Sequence, residues 1–286
     1  MHHSDLEAQR RTVTTSLGPI SALDIGEGPV ALFVHGIATN ALLWHQQLSA
    51  LSDRRQCVAI DLPLHGHTPA EPASPLGVGQ LADAIEAFCI AEGIDRVDLV
   101  GHDTGGAVAQ VFAARHPERI HSLCLTNCDA HDNVPPAAFK PTVDLAATGA
   151  ISASAPTLLA DLVTAREVVF GSGYEDVSRL DLDLVASFLE PVLGTPERAR
   201  RFEALILALG PDELLMAESA LASMSVPALI VWGTDDLFFD LSWAYWLREL
   251  LPGADKVVEV DGGHLFFPEE RPDALIEALR SFWSGL

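Results

Sequence analysis

The stretch Leu99-Val100-Gly101-His102-Asp103-Thr104-Gly105-Gly106-Ala107-Val108-Ala109-Gln110 decides how this chain is read. An apolar strand runs into Gly101-His102-Asp103-Thr104-Gly105, and a helix of small residues begins at once. Gly101 and Gly105 flank Asp103 by two positions on each side, where a Cβ would obstruct a sharp strand-to-helix turn. Turns of this form usually present a serine as nucleophile. Here the central residue is an aspartate.

Around this turn, short β-branched runs alternate with longer helical patterns. The segments 30–34, 57–60, 97–100, 123–126, 228–232 and 257–260 are near-continuous apolar runs, as expected for strands buried on both faces. Helical stretches at 78–91, 107–115 and 274–283 lie between or after them. The alternation predicts an α/β fold with a mostly parallel sheet and helices on both faces. Segments 12–17 and 20–25, joined at Gly18-Pro19, are expected to form a hairpin on the sheet edge.

One interval breaks the alternation. From Asp129 to Leu221 no strand pattern occurs, and proline and glycine punctuate helical segments. Unstructured loops rarely exceed about 15 residues, so this excursion needs structure of its own. It is expected to be an inserted helical cap (129–221) on a core made of 1–128 and 222–286. Such a cap would sit over the carboxyl ends of the strands, where open α/β sheets bind ligands. Phe139, Phe170, Phe188 and Phe202 are assigned to the cap's own packing.

Composition narrows the partners. With 40 acidic against 17 basic residues the net charge is −23, which excludes the basic patches that nucleic acid or an anionic membrane would require. No apolar run approaches the roughly 18 residues of a membrane span. The opening Met1-His2-His3-Ser4-Asp5 lacks the basic and apolar regions of a secretory leader. Cys57, Cys89, Cys124 and Cys128 have no CxxC spacing and are expected to be reduced packing residues of a cytoplasmic protein. His65-Gly66-His67 has no further ligands nearby and is expected in a surface loop, so neither metal nor cofactor is implied.

Two later segments supply partners for Asp103. Val231-Trp232-Gly233-Thr234-Asp235-Asp236 follows a strand and places Asp236 three residues after a glycine. Gly262-Gly263-His264 follows the next strand. Asp103, Asp236, His264 is the order nucleophile, acid, histidine. Asp235 is adjacent to Asp236, and Asn127 and Asp129 after the 123–126 strand offer another acid position, although Asn127 cannot carry charge. His35-Gly36-Ile37 follows the 30–34 strand, with His35 read as support for that loop, and His102 as a structural histidine beside the turn.

On these residues the chain resembles the α/β-hydrolases over nearly its full length. Within that superfamily Gly-His-Asp-x-Gly is similar to haloalkane dehalogenases, epoxide hydrolases and fluoroacetate dehalogenases. The resemblance implies an aspartate nucleophile at Asp103, with the backbone N–H groups of Ile37 and Thr104 forming the oxyanion hole. Chemistry gives a reason for aspartate. A serine attacking saturated carbon would leave a stable ether, whereas a carboxylate leaves an alkyl ester. Water activated by His264, itself oriented by Asp236, could then attack the Asp103 carbonyl carbon and release an alcohol. The two N–H donors are expected to keep the Asp103 pKa low despite burial.

The leaving-group apparatus departs from each relative. Dehalogenases place tryptophan after the nucleophile and a second donor near His-Gly or in the cap. Here Thr104 and Ile37 stand at the first two places, and all five tryptophans lie outside 129–221. Epoxide hydrolases use two cap tyrosines, whereas only Tyr174 falls in this cap, as a candidate proton donor, and Ala38 replaces the proline of their His-Gly-x-Pro turn. Fluoroacetate dehalogenases carry arginine where Thr104 stands. The expected function is hydrolysis of an apolar epoxide or alkyl halide through an alkyl-enzyme ester, with a small apolar organic molecule as substrate. The alternatives are an ester or lactone hydrolase or a lyase, with Asp103 as base or nucleophile, and a non-catalytic ligand-binding homologue.

Overall fold

The computed structural model describes residues 3–69 and 76–286. Met1 and His2, part of the leader reading, lie outside them. Eight strands form one sheet: β1 (Arg10–Thr15), β2 (Gly18–Ile25), β3 (Val30–Val34), β4 (Gln56–Ile60), β5 (Val97–Asp103), β6 (Ile120–Cys128), β7 (Ala228–Gly233) and β8 (Ala254–Val260). Their order is β1-β2-β4-β3-β5-β6-β7-β8, and all neighbours from β4 to β8 run parallel. β1 and β2 make the expected antiparallel edge.

The hairpin turn itself is displaced. Thr15 pairs with Gly18, so the two-residue turn is Ser16-Leu17, and Gly18-Pro19 opens β2. Gly18 takes φ +108 immediately after the turn, a conformation that favours glycine. The other predicted strands lie where expected: β3 to β7 are buried almost throughout, with every residue of β5 inaccessible or nearly so, while β8 at the edge is buried only at its two ends.

The order reverses between β3 and β5. Connections leave these adjacent strands in opposite directions, which opens a crevice beyond their carboxyl ends. The segments at that crevice are His35-Gly36-Ile37 after β3 and Asp103 at the end of β5. Topology therefore selects the place that the glycine pattern selected independently.

The elbow helix, Thr104–Arg115, follows β5 without a linker. Its positions from Thr104 to Ala113 are all buried, so the helix is enclosed on every side. It packs between the sheet and the helices Val78–Glu92 and Asp212–Leu221. The elements between β6 and β7 are helices, and the last of them, Asp212–Leu221, belongs to the packing around the elbow helix. Among the described residues no single helix is long and apolar enough to cross a membrane. The four cysteines are buried and unpaired.

One buried ion pair fastens the edge strands to the site. Asp61, just after β4, is fully buried and receives Arg10 Nη1 at 2.5 Å, with N–H bonds from Ala41 and His67 at 2.9 Å each. Removing one member of such a pair leaves an uncompensated buried charge. Arg10→Met should therefore lower stability by about 3–5 kcal/mol, read as a shift of the urea midpoint. An unchanged midpoint would show that Asp61 is solvated by other means.

Candidate functional site

Asp103 sits at φ 54, ψ −134, outside the regions that side-chain-bearing residues usually occupy. The strain aims its carboxyl at the loop after β3. Asp103 Oδ2 accepts the Ile37 N–H at 3.0 Å, and the Thr104 N–H also hydrogen-bonds the carboxyl. Both donors named from the sequence are thus on Asp103. The approach is close: a Cβ on Gly36 would lie 2.0 Å from Asp103 Oδ2. A Cβ on Gly105 would lie 2.3 Å from the His35 carbonyl oxygen, and one on Gly101 would lie 2.8 Å from Ala109 Cβ. Glycine at these three positions lets the elbow and the β3 loop meet.

Buried histidines brace the frame. His35 Nδ1–H donates to the Gly36 carbonyl at 2.7 Å, leaving Nε2 to accept the Leu62 N–H at 3.0 Å. This arrangement requires a neutral ring, and burial holds its pKa down at about 4. His102 Nδ1 meets Thr126 Oγ1 at 2.9 Å, and burial likewise pushes its pKa to about 3. His65, expected in a surface loop, is instead buried, with its ring edge-on to His35 at 5.1 Å; His67 is exposed. The Phe202 ring, edge-on at 6.2 Å, also packs against His65.

Burial also overturns the expectation for Asp103. Loss of solvent outweighs the two N–H donors, and its pKa is pushed up to about 7, with the Asp236 charge adding to the rise. Asp129, at the end of β6, is more confined still. It is 2% exposed, and burial together with the Asp103 charge holds its carboxyl far above the usual range. Its only opposing influence is the Thr104 hydroxyl.

Asp236 is fixed by the neighbouring strand ends. Its Oδ2 accepts Asn127 Nδ2 at 2.6 Å and its Oδ1 accepts the Phe238 N–H at 2.7 Å. Asn127 Oδ1 in turn accepts the Gly233 N–H at 2.7 Å, so this side chain ties β6 to β7 while it holds the acid. Burial raises the Asp236 pKa to about 6. Sequence reasoning set Asn127 aside because it cannot ionise; its role is to donate.

His264 lies in the loop after β8, but it is not hydrogen-bonded or ion-paired to Asp236 or Asp103. Its Nδ1 is 3.0 Å from the Tyr174 carbonyl oxygen. That carbonyl can only accept, so Nδ1 carries the proton and Nε2 is left as an acceptor. The orienting contact expected from Asp236 is therefore made by a cap carbonyl. The Tyr174 side chain does not reach the cavity: it is buried, stacked on Phe266 at 4.8 Å, with its hydroxyl unpartnered. Phe266 occupies the space between it and the site.

A cavity of about 340 Å³ lies over Asp103. Its polar side chains are Asp103, Thr104, Asp129, Thr142 and Ser154, and the remaining wall is apolar. Phe139, Phe170 and Phe202 face this space and only Phe188 of the four stays within the cap packing. No tryptophan, asparagine, tyrosine, lysine or arginine lines it among the described residues. The helical interval between β6 and β7 is tied to the loop after β3 partly by Asn40, whose Nδ2 donates to the Ser187 carbonyl at 2.8 Å.

Residues 29–271 match the family described as alpha/beta hydrolase fold. The cis-3-alkyl-4-alkyloxetan-2-one decarboxylase of Shewanella oneidensis is 25% identical over 97% of this chain and 89% of its own length. The pimeloyl-[acyl-carrier protein] methyl ester esterase of Neisseria meningitidis is 28% identical over 88% and 76% respectively. Among solved structures, haloalkane dehalogenase DbeA from Bradyrhizobium elkani superposes with a TM-score of 0.82 at 20% identity, covering 96% of this chain and 97% of that one. At that identity the superposition establishes a shared fold.

The electrostatics of Asp103 have a measurable consequence. Its folded pKa of about 7 exceeds the ordinary 3.8, so ionisation opposes folding. That cost is absent below pH 3.8, grows as pH rises, and is complete above about 7. At about 1.4 kcal/mol per unit, it reaches about 4 kcal/mol. Asp103→Asn should raise the thermal midpoint at pH 8 and leave it nearly unchanged at pH 4. Equal shifts at both pH values would contradict the buried-carboxylate account.

Proposed function

Because the chain belongs to the α/β-hydrolase fold family, we propose that it is a hydrolase whose Asp103 carboxylate attacks a saturated carbon of a small apolar molecule. The substrate class is an epoxide or an alkyl halide, and the intermediate is an alkyl ester on Asp103. One observation carries this reading: a carboxyl group, at the elbow position and hydrogen-bonded by Ile37 and Thr104, faces a mostly apolar cavity.

The N–H contacts at Asp103 support the first of the steps; His264 and Asp236 are not among the residues that line the cavity, and their roles rest on chemistry. Ionised Asp103 displaces the leaving group and becomes an ester. The carbonyl oxygen of that ester remains beside the Ile37 and Thr104 N–H groups, which stabilise the charge that appears when water adds. His264, with Nδ1–H held by the Tyr174 carbonyl, offers Nε2 to take the proton of that water. Asp236 contributes its negative charge from the next loop, stabilising the imidazolium that forms. The apolar wall favours an uncharged substrate, in keeping with the absence of a basic side chain along it among the described residues.

A strained lactone is the second reading, favoured by the likeness to the Shewanella oxetanone decarboxylase. The same carboxylate would open that ring at its saturated carbon.

His264→Gln should trap the ester. Incubated with epoxides, haloalkanes and lactones, the variant should gain the whole mass of an epoxide or lactone, or that of a haloalkane less hydrogen halide, on the Asp103 peptide. Trapping should slow about tenfold per unit as pH falls below about 7, because only ionised Asp103 attacks. Turnover of any of these substrates by an Asp103→Ala variant would refute the nucleophile.

A further inference from the structure

The cavity holds a second carboxyl that the displacement itself does not use. Asp129 lines the same wall as Asp103 and Thr104, and its Oδ1 is buried without a hydrogen-bond partner. Its backbone is locked in place. Gln110 Nε2, from the elbow helix, donates to the Asp129 carbonyl at 2.8 Å and to the Gly106 carbonyl at 3.0 Å. Gly106 permits this packing, since a Cβ there would lie 2.6 Å from Cys128 Sγ. The end of β6 is thereby pressed against the turn that carries Asp103.

We infer that Asp129 is a catalytic proton donor to a leaving oxygen at the Asp103 site, and that the substrate class is therefore the epoxide. This rests on Asp103 as nucleophile. Two carboxyls facing one apolar cavity do not ionise together, so one keeps its proton. Asp103 has two N–H donors to stabilise a charge, whereas Asp129 has only the Thr104 hydroxyl. The proton stays on Asp129, which is the form a general acid requires. A carboxylic acid held neutral by an apolar site can donate a hydrogen bond and then its proton.

The need for such a donor separates the leaving groups. Bromide departs as a stable anion, and a lactone opened at saturated carbon departs as a carboxylate. An epoxide opened without an acid would depart as a strongly basic alkoxide. Only the last requires protonation in the transition state. Among the described residues no tyrosine lines this cavity to supply it.

The step balances. An Asp103 oxygen bonds to a ring carbon while the carbon–oxygen bond breaks, and its electron pair stays on the oxygen. That oxygen takes the Asp129 proton, giving a hydroxyalkyl ester and an Asp129 carboxylate. Water then adds to Cγ of Asp103 as His264 accepts its proton. Collapse restores Asp103 and releases the diol. Hydrolysis of the ester liberates one proton, which returns to Asp129.

The test compares two six-carbon probes, 1,2-epoxyhexane and 1-bromohexane, by the rate of ester formation on Asp103 in the His264→Gln background. Adding Asp129→Asn should slow alkylation by the epoxide at least about 100-fold and leave the bromide within about threefold. The retained bromide rate also reports an intact fold. A second measurement needs no change at position 129. With Asp129 unaltered, the epoxide rate should rise through the Asp103 ionisation and fall again as Asp129 loses its proton, while the bromide rate rises and stays level. The ionisable groups facing Asp129 are Asp103 from β5 and the thiol of Cys128, the last residue of β6.

Equal loss with both probes, loss with neither, or identical pH profiles would overturn the proton-donor role. With Asp129 unaltered, alkylation by the bromide but not the epoxide would overturn it and leave the nucleophile standing. Alkylation by neither would overturn both.

Discussion

The contact between Gly36 and Asp103 is the constraint from which the site follows. No side chain fits between the β3 loop and the Asp103 carboxyl, and Asp103 accepts a strained backbone angle to reach that loop. The strain persists because β5 is buried along its length and the elbow helix starts directly after it. Two parallel strands at the reversal of the sheet order hold the partners, so the contact is a property of the whole sheet.

Burial then sets the chemistry. The same closure that brings Ile37 and Thr104 N–H groups to Asp103 strips it of solvent and raises its pKa to about 7. Burial also raises the Asp129 carboxyl well above the usual range, and Asp129 lacks comparable donors. Two carboxyls with unequal support are thereby separated into one that ionises and one that stays protonated. The apolar lining contributed by cap phenylalanines maintains that separation and matches an uncharged substrate.

The glycine spacing around Asp103 was legible because it reports a backbone requirement, independent of any partner. The parallel strands were legible because burial on both faces demands continuous apolar runs. A glycine-proline pair looks like the hairpin turn itself, two residues later than the observed Ser16-Leu17, because Gly18 marks the residue after the turn, where φ is positive. What stayed hidden depends on contacts between distant segments. The carbonyl that orients His264 lies at Tyr174, ninety positions earlier. The role of Asn127 emerges only when β6 and β7 lie side by side. Tyr174 was a reasonable cap donor by position, but Phe266 stands between it and the cavity. Asp129 carried a visible signal, an acid directly after a buried strand at its ligand-facing end, but its lack of a partner could be seen only in the fold.

The most direct test of the Asp103 nucleophile is a single turnover in water enriched in oxygen-18, with enzyme in excess over the fastest-reacting epoxide or haloalkane. The account predicts that the label enters the carboxyl group of the Asp103 peptide, because water attacks Cγ, while the product carries an oxygen that began on the protein. Label found only in the product, with none in Asp103, would show that water attacks the substrate directly and would contradict the account.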